Sequence, residues 1–580
     1  MIDLNQISFL CLASAFLALG AFKSFMNFVS SLKTNKSKSL IRDPKQYEVL
    51  INSYSSFNSV ITYVGFVAEA YYYGARLIMN VVAAGIGYII SLFLLQSLFY
   101  DLRVKSPYEY LEKRYANRII CRLVSAFVGI IFHISYSTLF LYGNATILST
   151  IFPECELKLS LTIIGCISAI FALFGGFCQT VVINFFQLIL FLFGISAALS
   201  IAIELPGDKL SYYWELAKKN NRLNFVVTTG DFRTRYTIWN QLFSLPIPWC
   251  AFHAILVPNF TRYKQIKTKS CSNIFFISHL PIMFIINSIA VFIGIFCYIT
   301  FYDCDPYLSK VFSNKNQLAS YFLIKVLDEK FPSLAGLFLA SLFVCGIMQY
   351  TFGISLSGQI FLNDIFRPII TKKTKQKFDE IVMNIIKSTL VLGITALTIF
   401  FSFALQNMDR TIANFFFIFN ISINSPVAAL FFLSIFNPYA NHVGALSSFL
   451  INISINLWFL IGALTSTLKG QAFTQSTNGC NSTDFVISNK NVTYSPENEV
   501  LFYFYSLSPI WYSLFSLLFV MIFGSLISLI YSLIFEKRVD LDMEYRTERQ
   551  KYLFDLKKHK ICKKEQTEDD YLNAISINEN

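Results

Sequence analysis

The sequence predicts an all-α, polytopic membrane protein. Of its 580 residues, 55% are hydrophobic and only 14% charged, whereas a soluble domain carries roughly a quarter charged residues. Uncharged runs of about 20 residues recur from end to end, each long enough to cross ~30 Å of hydrocarbon. The net charge of +12 is concentrated in the connections between these runs. That is the pattern of basic loops facing the cytoplasm, not of a nucleic-acid footprint.

Taken in order, the first apolar run covers Ile7 to Phe22. No Lys or Arg precedes it and no clear small-residue cleavage site follows, so it reads as a retained helix and not a signal peptide. Lys23, Lys33, Lys36, Lys38, Arg42 and Lys45 come directly after it, which places the N-terminus outside. Further spans are predicted near 48–73, 76–100, 120–150, 158–176, 179–203, 236–259, 272–301, 333–361, 384–406, 411–436, 442–467 and 507–535, about thirteen in all. The alternation agrees with loop charge: Arg103 to Arg118, Arg262 to Lys269 and Arg367 to Lys377 form basic inside loops, and the tail from Lys537 is basic too. The 204–235 loop is an exception, but long segments weigh less in the charge rule.

Two clustered acceptor sequons, at Asn481 and Asn491, lie in the polar 470–499 loop, which this topology places outside, and glycosylation is expected there. Sequons at Asn35, Asn144, Asn259, Asn420 and Asn452 fall in membrane or cytoplasmic segments and are expected to be silent. Twelve cysteines show no CxxC or Cys/His spacing, so no zinc or redox motif is present. Cys155, Cys304 and Cys480 fall in loops placed outside; one disulfide among them is open, and the sequence does not choose the pair.

Several function classes drop out. No Walker motif is present, which argues against ATP-driven transport, and no span carries an Arg series of the voltage-sensing kind. Charged residues are nearly absent from span centres: Glu69, Arg76 and Asp101 fall near ends. His133 and His253 read as packed or hydrogen-bonded side chains more than as proton relays. No enzymatic chemistry and no cofactor are expected.

The stretch from Leu337 to Pro368 is different. Gln349, Thr351, Ser355 and Ser357 put side-chain oxygens at mid-membrane depth. Thr351 and Ser355, four apart, share one helical face with Met348. Such hydroxyls either bond their own i−4 carbonyls and neighbouring helices or line a solute or ion site.

Several stretches together resemble the sodium:solute symporter family, in the branch of iodide, monocarboxylate and multivitamin transporters. They are VGFVAEAYYYG (Val64 to Gly74), SPYEYLEKRY (Ser106 to Tyr115), FGGFCQTVVINFFQ (Phe174 to Gln187), FYDCDP (Phe301 to Pro306), LFLASLF…NDIFRP (Leu337 to Pro368) and NSPVAALFFLSIFNPYANHVGAL (Asn424 to Leu446). They keep order and spacing from about residue 40 to 450.

The resemblance implies a five-plus-five inverted-repeat transporter fold with flanking helices. It implies sodium and solute near the midplane, where the first repeat helix is unwound; here that break falls around Asn58 to Gly65. It places an ion site at Ser59, Thr62, Tyr142, Gln349, Thr351 and Ser355, and a solute pocket at Phe57, Asn58, Tyr63, Met348 and Phe352. The family's hydroxyl-rich patch is thinned here, because Met348 and Phe352 stand where relatives often have Ser or Thr, and a thioether is a poor ligand for a hard cation. The family Asp aligned with Asn184 and the family Lys aligned with Cys178 are also replaced, while Arg262-Tyr263 is all that remains of a longer polar run.

The implied function is sodium-coupled symport of a small solute, an organic anion, vitamin-like acid, monocarboxylate or halide, across the plasma membrane by alternating access. The alternative is a sodium-independent facilitator or a non-transporting solute sensor on the same fold. The implied divisions are 1–47, an N-terminal helix and cytoplasmic loop; 48–467, the transporter core; 468–506, a glycosylated external loop; 507–535, the last span; and 536–580, a cytoplasmic tail. Partners are the solute, sodium and the lipid bilayer, with no nucleic acid.

Overall fold

Hydrocarbon offers no partner for a backbone N–H or C=O, so a chain this apolar satisfies its backbone within helices. A computed structural model describes residues 3–33, 51, 54, 59–102, 104–115, 118–174, 181–205, 207–266, 268–328, 331, 333–374, 380–408, 410–465, 472–480 and 505–535. Phe57, Asn58, Asn481 and Asn491 lie outside the described residues. Among those described there is no strand.

The helices are α1 (Leu4–Lys33), α2 (Ile61–Gly65 running into Phe66–Tyr73), α3 (Ile78–Ile90, continuing through Ser97–Asp101), α4 (Pro107–Arg114), α5 (Ile119–Ile151), α6 (Leu157–Leu173), α7 (Val181–Glu204) and α8 (Leu210–Lys219). They continue with α9 (Asn240–Ala254 and Val257–Lys264), α10 (Lys269–Thr300), α11 (Leu318–Asp328), α12 (Leu334–Ile370), α13 (Glu380–Gln406), α14 (Ile412–Phe436), α15 (His442–Thr465) and α16 (Trp511–Phe535).

Among the described residues ten helices are long and apolar enough to cross a membrane, or 11 if the bent α9 counts as one span. The expected number of about thirteen is larger for two reasons. It includes α6, which has only 17 residues, and it separates α2 from α3. The structure turns the chain there at Gly74, whose φ of 76° belongs to glycine. A Cβ at Gly74 would also come within 2.7 Å of the Arg222 carbonyl.

Two sets of five helices follow the same plan. α2, α3, α5, α6 and α7 form one; α9, α10, α12, α13 and α14 form the other. Each set opens on a helix with a wide π turn, Ile61–Gly65 in α2 and Asn240–Ser244 in α9. The third member of each set is long, and these two, α5 and α12, pack along each other with Gly346 against Asn144 and Gly353 against Ser137. α9 bends by 55° before Val257, with Pro258 in the first turn of its second half, where a missing N–H costs no hydrogen bond.

Flanking helices attach by small polar side chains, the usual glue between membrane helices. Asn5 of α1 accepts from the Gly336 N–H at 3.2 Å, and Asn456 of α15 donates to Ser516 of α16 at 2.8 Å. Phe400, Ile461 and Leu533 point away from the bundle.

Polar networks close both ends. At one, Arg122 of α5 donates to Asp364 of α12 at 2.9 Å and to Glu112 of α4 at 3.1 Å, while Ser106 caps α4 and also bonds Asp364. Lys264 and Arg114 there donate to carbonyls at the C-terminal ends of α3 and α14, a favourable place for a cation. At the other end the fully buried Glu69 of α2 pairs with Arg235, accepts from Tyr236 at 2.6 Å and bonds the Thr411 hydroxyl. The Arg235 guanidinium lies 4.2 Å from the centre of the Tyr73 ring.

Beyond it, segment 472–480 is strapped over the end of α2. Phe473 N–H donates to Tyr72 O at 2.9 Å, Arg222 reaches Tyr71 O and Thr474 O, and a disulfide joins Cys304 to Cys480. Cys155 instead sits 3.2 Å from the Ser160 hydroxyl. Burial pushes the Asp305 carboxyl above its usual range, although the Leu308 and Tyr307 N–H groups and the Tyr71 hydroxyl oppose the shift.

Glu69→Gln leaves Arg235 buried without its counter-charge and is expected to destabilise the protein by about 3–5 kcal/mol. Thermal melting in detergent measures this, and Glu69→Gln with Arg235→Gln should recover part of the loss. A single variant that melts with wild type would show that the pair does not hold this end together.

Candidate functional site

Positions at intervals of about one turn carry polar, ring-bearing or small side chains on several helices: Asn80, Ala84 and Tyr88; Trp249 and His253; Phe275, His279 and Asn287; Gln349 and Gly353. Residues four apart on a helix share a face. The fold turns those faces toward one another around a cavity of about 190 Å3, completed by Ser59 just before α2 and Thr62 within it, by α5 and by Phe416 of α14.

The cavity lies beside both π turns' helices and the bend of α9. Trp249 Nε1 donates to Asn80 Oδ1 at 3.2 Å, tying α9 to α3. Ser59 Oγ accepts from the Ile61 N–H at 3.2 Å at the start of α2. Just past the bend, Asn259 Nδ2 donates to Phe252 O at 2.8 Å and its Oδ1 accepts from Arg262 at 3.4 Å. Arg262 is the one formally charged side chain among the described lining residues. His133, His253 and His279, three of the five histidines in the chain, line the same space. His279 Nδ1 lies 2.5 Å from Phe275 O, so that nitrogen carries the proton and donates.

The expected site residues divide. Ser59, Thr62, Gln349 and Phe352 line the cavity. Met348, Thr351 and Ser355 are buried on another face of α12, and the Thr351 and Ser355 hydroxyls have no hydrogen-bond partner. Tyr63 turns outward from the cavity, its ring 5.0 Å edge-on to Phe338 and its hydroxyl donating to Ala319 O at 3.4 Å. Tyr142 accepts from Asn314 Nδ2 at 2.6 Å, toward the Glu69 end. The face split follows from helical geometry: 349, 352, 353 and 356 form one stripe, and 348, 351 and 355 the next.

Sequence reasoning passed over Arg262, His279, Tyr88 and Trp249 as site residues, and read His253 as packing. The one-turn spacing was the available signal, but in a chain with 61 Phe and 31 Tyr a ring at helical spacing is usually core.

The sequence profile described as the sodium:solute symporter family matches residues 49–452. The chain belongs to this family. Its relatives include a putative sodium-dependent multivitamin transporter of Drosophila melanogaster, 24% identical and covering 92% of this chain and 88% of that protein. The human sodium-coupled monocarboxylate transporter 1 is 25% identical, covering 88% and 84%. The human sodium/iodide cotransporter is 25% identical over 70% and 62%. Among solved structures, a Na+-coupled sialic acid symporter in a substrate-bound outward-open state superposes with a TM-score of 0.67 at 16% identity, covering 91% of this chain and 98% of that one. The symporter therefore has the five-plus-five inverted-repeat fold with flanking helices, in a family that by its description moves a solute together with sodium.

Thr351→Val removes a buried hydroxyl without a partner while keeping its shape. In sodium-free detergent it is expected to be neutral or to stabilise by up to about 1 kcal/mol. A melting point lowered by several degrees would mean the hydroxyl is already bonded in the protein.

Proposed function

We propose that this symporter carries a small organic anion, such as a monocarboxylate or vitamin-like acid, across the plasma membrane together with sodium. The observation that carries the reading is a cavity at the breaks of both repeat-opening helices, lined by Arg262 and by no acidic side chain among its described residues, in a chain of this family. The names of its relatives, which include monocarboxylate and multivitamin transporters, support an anionic solute.

In this reading the N-terminus is outside, and the Asp364 end and the C-terminal tail are cytoplasmic. Residues 48–467 form the transporter core and 468–506 an external loop glycosylated at Asn481 and Asn491. Ser59, Thr62 and Gln349 share hydration-replacing duty for ion and solute at the cavity. Thr351 and Ser355 supply buried oxygens on the adjoining stripe of α12, and Tyr142 supports them from α5. Sodium prefers several hard oxygens, and Met348 and Phe352 interrupt that set, so sodium is held weakly and coupling needs a high external concentration.

Uptake in expressing cells with sodium replaced by choline tests the coupling: accumulation should collapse, and unchanged accumulation would refute symport. Met348→Ser with Phe352→Thr is expected to lower the sodium concentration for half-maximal uptake severalfold. An unaltered sodium curve would remove these two positions from the ion site.

A further inference from the structure

A helix leaves its last carbonyls without intrahelical partners, and in α2 two of them are met from other segments. The Ala70 carbonyl accepts from the Gly74 N–H. Beyond it, Arg222 donates to Tyr71 O at 2.6 Å and the Phe473 N–H donates to Tyr72 O at 2.9 Å. The Arg222 guanidinium is held between two rings, 4.1 Å from the centre of Tyr298 and 4.6 Å from that of Phe473. Its backbone oxygen accepts from the Ala75 N–H at 2.8 Å, just past the turn at Gly74. A cation is favoured both over a ring and at a helix C-terminus.

The strap that carries Phe473 has no core of its own. None of residues 472–480 is buried, and a segment with few buried contacts opens at low free energy. On its far side it is tied to the loop after α10, where the Asp305 N–H donates to Ser476 O and the Gly479 N–H to Asp303 O, both at 2.9 Å, and Cys304 is bonded to Cys480. A covalent tie removes open states that two hydrogen bonds leave accessible. Cys304 and Cys480 are each half-buried, beside the exposed Asp303 and Gly479, so a dissolved thiol reaches the bond.

The same turn of α2 reaches the buried pair that closes this end. Glu69 lies one turn before Tyr72 and Tyr73, and the Tyr73 ring carries the Arg235 guanidinium that pairs with Glu69. The Tyr71 hydroxyl adds a bond to Asp305 Oδ2 at 2.7 Å, on the loop that bears Cys304. Strap, last turn and Glu69 pair are linked in series.

We propose that segment 472–480 is a thiol-releasable latch on this closure: the Cys304–Cys480 disulfide keeps the strap on the last turn of α2, and its reduction frees that turn and lets the Glu69 end open. In the exchange, one thiolate of an external dithiol attacks a cysteine sulfur, the Sγ–Sγ bond breaks, and the second thiolate closes the dithiol into its own disulfide. The protein gains two electrons and two protons and is left with two thiols. The latch rests on the orientation proposed above, in which this end faces outside, where disulfides persist.

Hydrogen exchange of the purified full-length protein, with and without dithiothreitol, tests it. Amides of residues 66–77 and 411–416 should exchange about tenfold faster after reduction, while those of 119–151 stay as they were. The Cys304→Ser, Cys480→Ser double variant should show the fast pattern without reductant and no further response to it. Arg222→Gln, which keeps the disulfide, should speed exchange at 66–77 as well.

Unchanged exchange at 66–77 and 411–416 in protein whose two cysteines are shown by thiol labelling to be reduced would overturn the latch. Equal acceleration throughout, residues 119–151 included, would overturn it too, since the disulfide would then be a staple of the whole fold. In intact cells, dithiothreitol followed by a membrane-impermeant maleimide should label Cys304 and Cys480. Labelling only after permeabilisation would overturn the orientation, while the exchange result still decides the latch.

Discussion

Water is missing from the middle of a bilayer, and that absence governs where this backbone can depart from regular helix. Every irregular turn there leaves carbonyls or N–H groups that need protein, solute or ion as partner. The π turns at Ile61–Gly65 and Asn240–Ser244 and the bend ahead of Val257 all fall on the two repeat-opening helices. Both helices border the same cavity. π turns also occur at Ser91–Gln96, Phe361–Phe366 and Asn420–Asn424, away from the cavity lining, so it is at the start of α2 and at the bend of α9 that irregular backbone and polar space meet.

The same logic separates the two stripes of α12. Gln349 and Phe352 face the cavity, where a solute can meet them. Thr351 and Ser355 are buried away from it with hydroxyls that bond nothing. Leaving such groups unpaired in a protein interior costs about 1–3 kcal/mol each, and valine at 351 or alanine at 355 would avoid that cost. Oxygens placed there at an energetic loss fit a site completed by a cation, and Met348 beside them limits how many oxygens that cation can find. The stripe proposed for the solute and the one proposed for sodium are thus neighbours on one helix.

Fold class was legible because hydrocarbon imposes a length and a composition on every span, and both can be read residue by residue. The family was legible from short stretches such as SPYEYLEKRY and NDIFRP, whose order survives where individual residues do not. The structure gives these stretches a physical reason: Ser106, Arg122 and Asp364 tie them into one network. The disulfide partner was not legible, because three loop cysteines are equivalent until the chain is folded and Cys304 meets Cys480. The site was legible only along α2 and α12, where a motif pointed. Arg262 looked like one more basic loop residue, since its membership of the cavity depends on the 55° bend of α9, an angle that spacing does not encode.

The two end networks set the terms of transport. At the Glu69 end, a wholly buried carboxylate joins α2, the segment before α9 and the start of α14. At the other, Asp364 joins α12 to α5 and, through Arg122, to α4. Opening either end requires separating charges that are poorly solvated, and breaking such a pair is costly unless water enters as the gap widens. Neither pair lines the cavity, so a ligand there acts on them only by favouring one arrangement of α2, α9 and α12 over the other. Moving the balance from 1:99 to 99:1 takes about 5.5 kcal/mol of differential binding. The cavity, bordered by α2, α3, α9 and α12, is where such a difference in binding can act.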